Sequence, residues 1–121
     1  MSDATAPAVG AAEDVLWPKI DDIVQWIDRQ SPMPDPMQAL GMRIHKITEE
    51  LGEAAQAYVG VTAYNPRKGK SHTEADLRKE LCDVILTAMV ALRTIEPDAG
   101  KAFAEHLDRV HERSLGVVRS G

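Results

Sequence analysis

Aromatic residues are scarce in this chain: two Trp, two Tyr and one Phe among 121 residues. The core therefore has to be built from Leu, Ile, Val, Ala and Met, and surfaces for stacking a planar ring are few. Cysteine occurs once, as Cys82. That excludes an intramolecular disulfide and a cysteine-based zinc site, and it fits a reducing, cytoplasmic setting. No run approaches the roughly 18 consecutive apolar residues of a membrane span. The opening residues lack the positive end and apolar stretch of a signal peptide, so residues 1–12 read as a small-residue tail. An excess of basic charge is also missing. The formal net charge is −5 and the pI near 5.3, which argues against a protein that grips a nucleic-acid backbone.

What is present is an ordinary balance for a folded domain, 44% hydrophobic and 27% charged. A chain of this length fits one domain, expected over residues 13–118, and buries roughly two thirds of its unfolded surface. Apolar residues recur at steps of three and four throughout, and no strand pattern appears. The first helix is expected from about Asp14 to Arg29, on Leu16, Ile20, Ile23 and Ile27. Three prolines within residues 32–36 stop it. Asp35 then caps a second helix with Pro36 at its first position. Met37, Leu40, Ile44, Ile47, Leu51, Ala54 and Tyr58 form its apolar stripe, with Gly60 as the expected stop and Gly52 as the mark of a close contact. A third helix starts at Thr73, with Asp76 as capping-box partner, and ends before Pro97. A fourth runs from Asp98 to about Val118, on Phe103, Leu107, Val110 and Val117. The expected class is all-α, in a four-helix, bundle-like arrangement. Between Leu81 and Leu92 the third helix is apolar nearly all round. Burying such a helix in so small a monomer is difficult, which predicts a homodimer or a dimer of dimers.

Two acidic clusters carry the chemistry. Glu49, Glu50 and Glu53 lie on the second helix, and Glu80 and Asp83 on the third. Residues three apart share a helix face, so Glu50 pairs with Glu53 and Glu80 with Asp83, at a cost in repulsion unless a cation intervenes. If the two helices pack antiparallel, the pairs face each other. Converging carboxylates without imidazole or thiolate form a hard-oxygen site suited to Mg²⁺ or Mn²⁺, and Mg²⁺ is commonly shared with substrate phosphates.

Glu50-x-x-Glu53, a gap of 26 residues and Glu80-x-x-Asp83 resemble the signature of the all-α nucleoside triphosphate pyrophosphohydrolases, the MazG-like superfamily. Residues 46–54 and 78–86 support the likeness, which spans roughly 15–115. The resemblance implies Mg²⁺-dependent cleavage of a (d)NTP between its α and β phosphates, giving (d)NMP and pyrophosphate, as in nucleotide-pool housecleaning. It also implies Glu50, Glu53, Glu80 and Asp83 as metal ligands. Glu49 is then the candidate proton acceptor for the attacking water. Asn65, Arg67, Lys68 and Lys70, in the loop between the acidic helices, are expected to meet the outer phosphates. Trp26 is the candidate stacking surface for the base. Relatives often carry a later Asn, whereas none follows Asn65 here. That motivates an alternative: a non-catalytic helical module that binds Mg²⁺ and nucleotide without turnover.

Overall fold

Asp35 is extended, and its carboxylate accepts a hydrogen bond from the Met37 amide at 3.0 Å. This start, with proline in the first turn, launches the longest helix of the protein. The computed structural model describes residues 15–120, with the side chains of 117–120 excepted. The expected tail at 1–12, Asp14 and the side chain of Val117 lie outside the described residues. The described chain is all-α, with four helices: α1 (Leu16–Gln30), α2 (Pro36–Thr62), α3 (Glu74–Ile95) and α4 (Ala99–Ser120). None of them is long and apolar enough to cross a membrane.

The boundaries follow from local chemistry. Thr73 and Asp76 form a reciprocal capping box at the start of α3, at 2.9 and 3.1 Å. Its backbone and side-chain bonds to Thr73 hold the Asp76 carboxyl below the usual aspartate range. The far end closes at Glu96, whose amide donates to the Leu92 carbonyl just ahead of Pro97. The end of α2 departs from expectation. Gly60 does not stop the helix, which continues to Thr62 and is capped by Ala63 in the left-handed region at φ 54°. Gly60 is needed for another reason. It is buried where the loop folds back, and a Cβ there would collide with Ser71 and His72. Gly52, expected at a close contact, instead faces open space.

The largest packing surface joins α2 to α3. Arg43 Nη1 donates to Thr94 Oγ1 at 2.7 Å, Glu50 approaches Asp83, and the Gly60 carbonyl accepts from the Ser71 amide at 3.1 Å. Residue numbers fall on one helix as they rise on the other, so the pair is antiparallel. The face of α2 in this seam is made of small residues: Ala39, Ala54, Ala57 and Gly60 are buried, with Glu50 among them. Helix α1 lies against α3, where Ile20, Val24 and Val90 form a buried cluster flanked by Trp17, Leu86 and Met89. Asp21 pairs with Arg93, and Asp28 with Arg43, fastening α1 to both neighbours. Helix α4 meets the rest chiefly at its start. There Ala99 is buried and Gly100 abuts the Trp17 ring, while Phe103, Leu107 and Leu115 stay half-exposed.

The apolar stripe expected to bury α2 is largely on the surface. Met37, Ile44, Leu51 and Tyr58 are each at least half exposed, and on α3 Leu81 and Ile85 are also open, as is Cys82. Helical geometry puts the α2 residues, Leu81 and Ile85 on the flank of the pair away from α1, whereas Cys82 shares the face of Leu86 and Met89 that turns toward α1.

Candidate metal centre

Antiparallel packing brings the two acidic motifs to one level. One oxygen each from Glu50, Glu80 and Asp83 lies within 4.8 Å of the others. Glu50 is the one charged residue buried among those described, placed there by the alanines that let α2 approach α3 closely. Glu80 carries the more informative feature. Its Oε2 is buried and has no hydrogen-bond partner. A buried carboxylate oxygen without a donor costs free energy unless a cation or proton completes it. The donor set is all carboxylate oxygen, which matches a hard divalent cation.

Glu53 is exposed and stands beside this group rather than within it. The negative charge of Glu50, and a hydrogen bond to it, push the Glu53 carboxyl above the usual glutamate range, with Glu80 adding to the effect. The fourth carboxylate is therefore electrostatically part of the centre.

Two lysines answer the charge. Lys46 Nζ lies 3.5 Å from Glu50 and 3.8 Å from Glu49. Lys79 Nζ lies 3.1 Å from Asp83 and 3.6 Å from Glu80, and its hydrogen bond to Asp83 raises its pKa. Both arise from the same i, i+4 spacing that builds solvated helix pairs, and both side chains are more than half exposed. Neither reaches the orphaned oxygen of Glu80.

Glu49 does not join the cluster. It is exposed, shared between Lys46 and His45, whose Nε2 is 3.8 Å away. The basic loop starts beyond the end of α2. Glu53 precedes Gly60 by seven residues, about 10 Å of helix. Arg67, Lys68 and Lys70 are exposed there. Asn65 is spent on its own turn: its side chain accepts from the Arg67 amide at 3.0 Å, and its carbonyl from the Gly69 amide at 2.9 Å. Lys68, Asn65, Ser71 and His72, together with Ala55 and Val59, border a hollow at this end. Trp26 is 56% exposed and contributes to neither this hollow nor the centre. Of the two tryptophans, Trp17 is the one used in packing.

Sequence reasoning missed a cleft of about 440 Å³ between α1, α2 and α3, bordered by Ile23, Ile27, Met33, Met42 and Leu86 and by Lys46 of the acidic centre. The available signal was one methionine inside the proline-rich turn, Met33, and another on the following helix, Met42, since flexible thioethers often line adaptable apolar surfaces. No family model matches this chain, and no curated protein or solved structure matches it either.

Proposed function

We propose that this protein is a Mg²⁺-dependent nucleoside triphosphate pyrophosphohydrolase that releases (d)NMP and pyrophosphate. The observation that carries the proposal is the orphaned Glu80 oxygen among three converging carboxylates on an antiparallel helix pair. In this reading Glu50, Glu80 and Asp83 hold the cation and Glu53 completes the set. Mn²⁺ fits the same donors. When bound, the ion supplies charge neutralisation on the phosphates and a lower pKa for water.

With a cation on the carboxylates, Lys46 and Lys79, now paired with Glu50 and Asp83, would be free to meet phosphate oxygens. Glu49, exposed beside Glu50, takes the proton of the attacking water. Attack at the α phosphorus forms one P–O bond and breaks the bond to the bridging oxygen, which leaves with pyrophosphate. Arg67, Lys68 and Lys70 steady the outer phosphates, Arg67 through its planar fork and the lysines as point charges. Asn65 supports this by holding the turn rather than by touching substrate.

The chain acts as a homo-oligomer in this reading, with the exposed apolar flank of α2 and α3 facing a second copy. Isolated exposed leucines are ordinary, but a continuous row from Ile44 through Leu51 to Tyr58 beside Leu81 and Ile85 marks an association surface.

The test is product analysis by ³¹P NMR. Purified protein is incubated with a panel of (d)NTPs and Mg²⁺, with EDTA as control. Monophosphate and pyrophosphate appearing only with metal support the proposal, whereas diphosphate and orthophosphate refute it. A second reading is a binding module without turnover, favoured by the two lysines that already neutralise the carboxylates. Metal-dependent nucleotide binding with no product would select it.

A further inference from the structure

We propose that the chain holds a second ligand site, which takes a small organic carboxylate. It is the pocket where the end of α1, the proline-rich turn, the start of α2 and the end of α3 meet. The site stands on its own residues and does not depend on the reading of the acidic centre. Arg43 precedes Glu50 by seven residues, about 10 Å of helix, and Arg93 follows Asp83 by ten, about 15 Å.

Two observations carry the assignment. The first is a pair of guanidinium groups with donors to spare. Arg43 and Arg93 both border this pocket, whose volume of about 370 Å³ lies in the range of small-molecule sites, roughly 300–1,000 Å³. The Arg43 side chain is only 11% exposed. Its Nη1 donates to Thr94 and its Nη2 to Asp28, which uses two of the five N–H donors of a guanidinium. Arg93 spends its Nε on Asp21, and among the described residues nothing accepts from its two terminal nitrogens. A guanidinium fork matches the two oxygens of a carboxylate.

The second observation is that the pocket already displays the kind of anion it binds. Asp28 borders it with Oδ1 at 2.5 Å from Arg43 Nη2, yet that side chain is 60% exposed. Exposed ion pairs are weak, so Asp28 is a displaceable occupant of the Arg43 fork. Asp21 holds Arg93 from outside the lining. A monoanion that takes the place of Asp28 keeps both arginines paired, whereas a multiply charged ion brings surplus negative charge. The rest of the wall sets the body of the ligand. Val24, Met33, Pro32, Pro34 and Pro36 supply it, and the prolines have no backbone N–H to bind a second polar group. One carboxylate on an apolar body matches this lining.

The experiment is an NMR titration of the ¹⁵N-labelled full chain in EDTA, which keeps metal away from the acidic centre. The probes are benzoate, the uncharged benzamide and inorganic phosphate. Benzoate should saturate and shift the Nε–H signals of Arg43 and Arg93, with affinity about tenfold or more above either control. Asp28→Asn frees the Arg43 fork and should tighten benzoate about two- to fivefold. Arg93→Gln removes the spare donors and should weaken it about tenfold. Benzoate that fails to saturate, or that binds no better than benzamide or phosphate, overturns the proposal without any variant having to fold. So does Asp28→Asn with benzoate affinity unchanged or lowered. Nucleotide binding and cleavage with metal are read separately and bear only on the acidic centre.

Discussion

The seam between α2 and α3 and the outer flank of the same two helices are built on opposite principles. The seam uses alanine and glycine, with Ala57 completely buried and Gly60 pressed against Ser71 and His72. The flank carries the bulk: Ile44, Leu51, Tyr58, Leu81 and Ile85 remain open. Small side chains let two backbones approach, and close approach brings short carboxylate arms from both helices to one point. Large side chains would bury more area but would hold the helices apart and dissolve the cluster. The seam therefore serves geometry, while the larger apolar side chains stay open on the flank.

The sharpest way to break this contrast is to strike the seam's charge. Under the proposed function, Asp83→Ala or Glu80→Ala should lower pyrophosphohydrolysis on the order of 10³-fold, because a catalytic cation would supply several kcal/mol of transition-state stabilisation. Far-UV circular dichroism should show the helices intact. Turnover within tenfold of wild type would place the chemistry elsewhere.

The seam's packing comes next. Gly60→Ala forces a methyl group against Ser71 and His72 and should cost about 1–3 kcal/mol in urea unfolding. The same change at Gly52, which faces open space, should instead stabilise by about 1 kcal/mol through helix propensity. Equal effects at the two glycines would contradict the seam geometry.

On the flank, Ile85→Glu should leave monomer folding within about 0.5 kcal/mol of wild type, as substitutions at open positions usually do. Sedimentation equilibrium should report the monomer mass of 13.2 kDa for this variant and a multiple of it for the wild type. A monomeric wild type at micromolar concentration would remove the association role of the flank.

Two smaller effects sharpen the electrostatics of the centre. Lys79→Gln removes the resident cation of Asp83 and Glu80 and should tighten Mn²⁺ binding about threefold without nucleotide, read by electron paramagnetic resonance. The modest size reflects the exposure of Lys79, since such pairs are weak. Glu53→Gln should raise the melting temperature of the metal-free protein at pH 7 by a small margin. The Glu53 carboxyl is raised above its ordinary value of 4.5 by its carboxylate neighbours. Its contribution is therefore most favourable below pH 4.5 and is lost as pH rises through the folded value. The two melting curves should converge below pH 4.5, and parallel curves would show that the repulsion does not act on stability.

Much of this was legible in the residues. Asp35-Pro36, the Thr73–Asp76 capping box and the stop at Pro97 are local signals, written in bonds spanning two to four residues, and the helices obey them. The two acidic motifs were legible as pairs for the same reason. Which face of α2 is buried was not. Periodicity marks an apolar stripe without saying what covers it, and the stripe of Leu51 and Tyr58 turned outward while Ala54 and Ala57 turned in. Trp26 and Trp17 look equivalent on a helix, but only Trp17 meets the α1–α3 core. Glu53, equal to Glu50 by spacing, stands outside the close group because a helix presents one of the two more directly to its neighbour.

By itself, then, the sequence determined the all-α class, the capped starts of α2 and α3 and the stop before Pro97, and the acidic character of the centre, but not the end of α2, because propensity, capping and charge act through near neighbours. Tertiary structure alone decided that Glu50, Glu80 and Asp83 converge, that one Glu80 oxygen is left without a donor, and that a methionine-lined cleft opens beside them. Those facts depend on how closely two helices approach and at what register. Packing across the whole chain sets both.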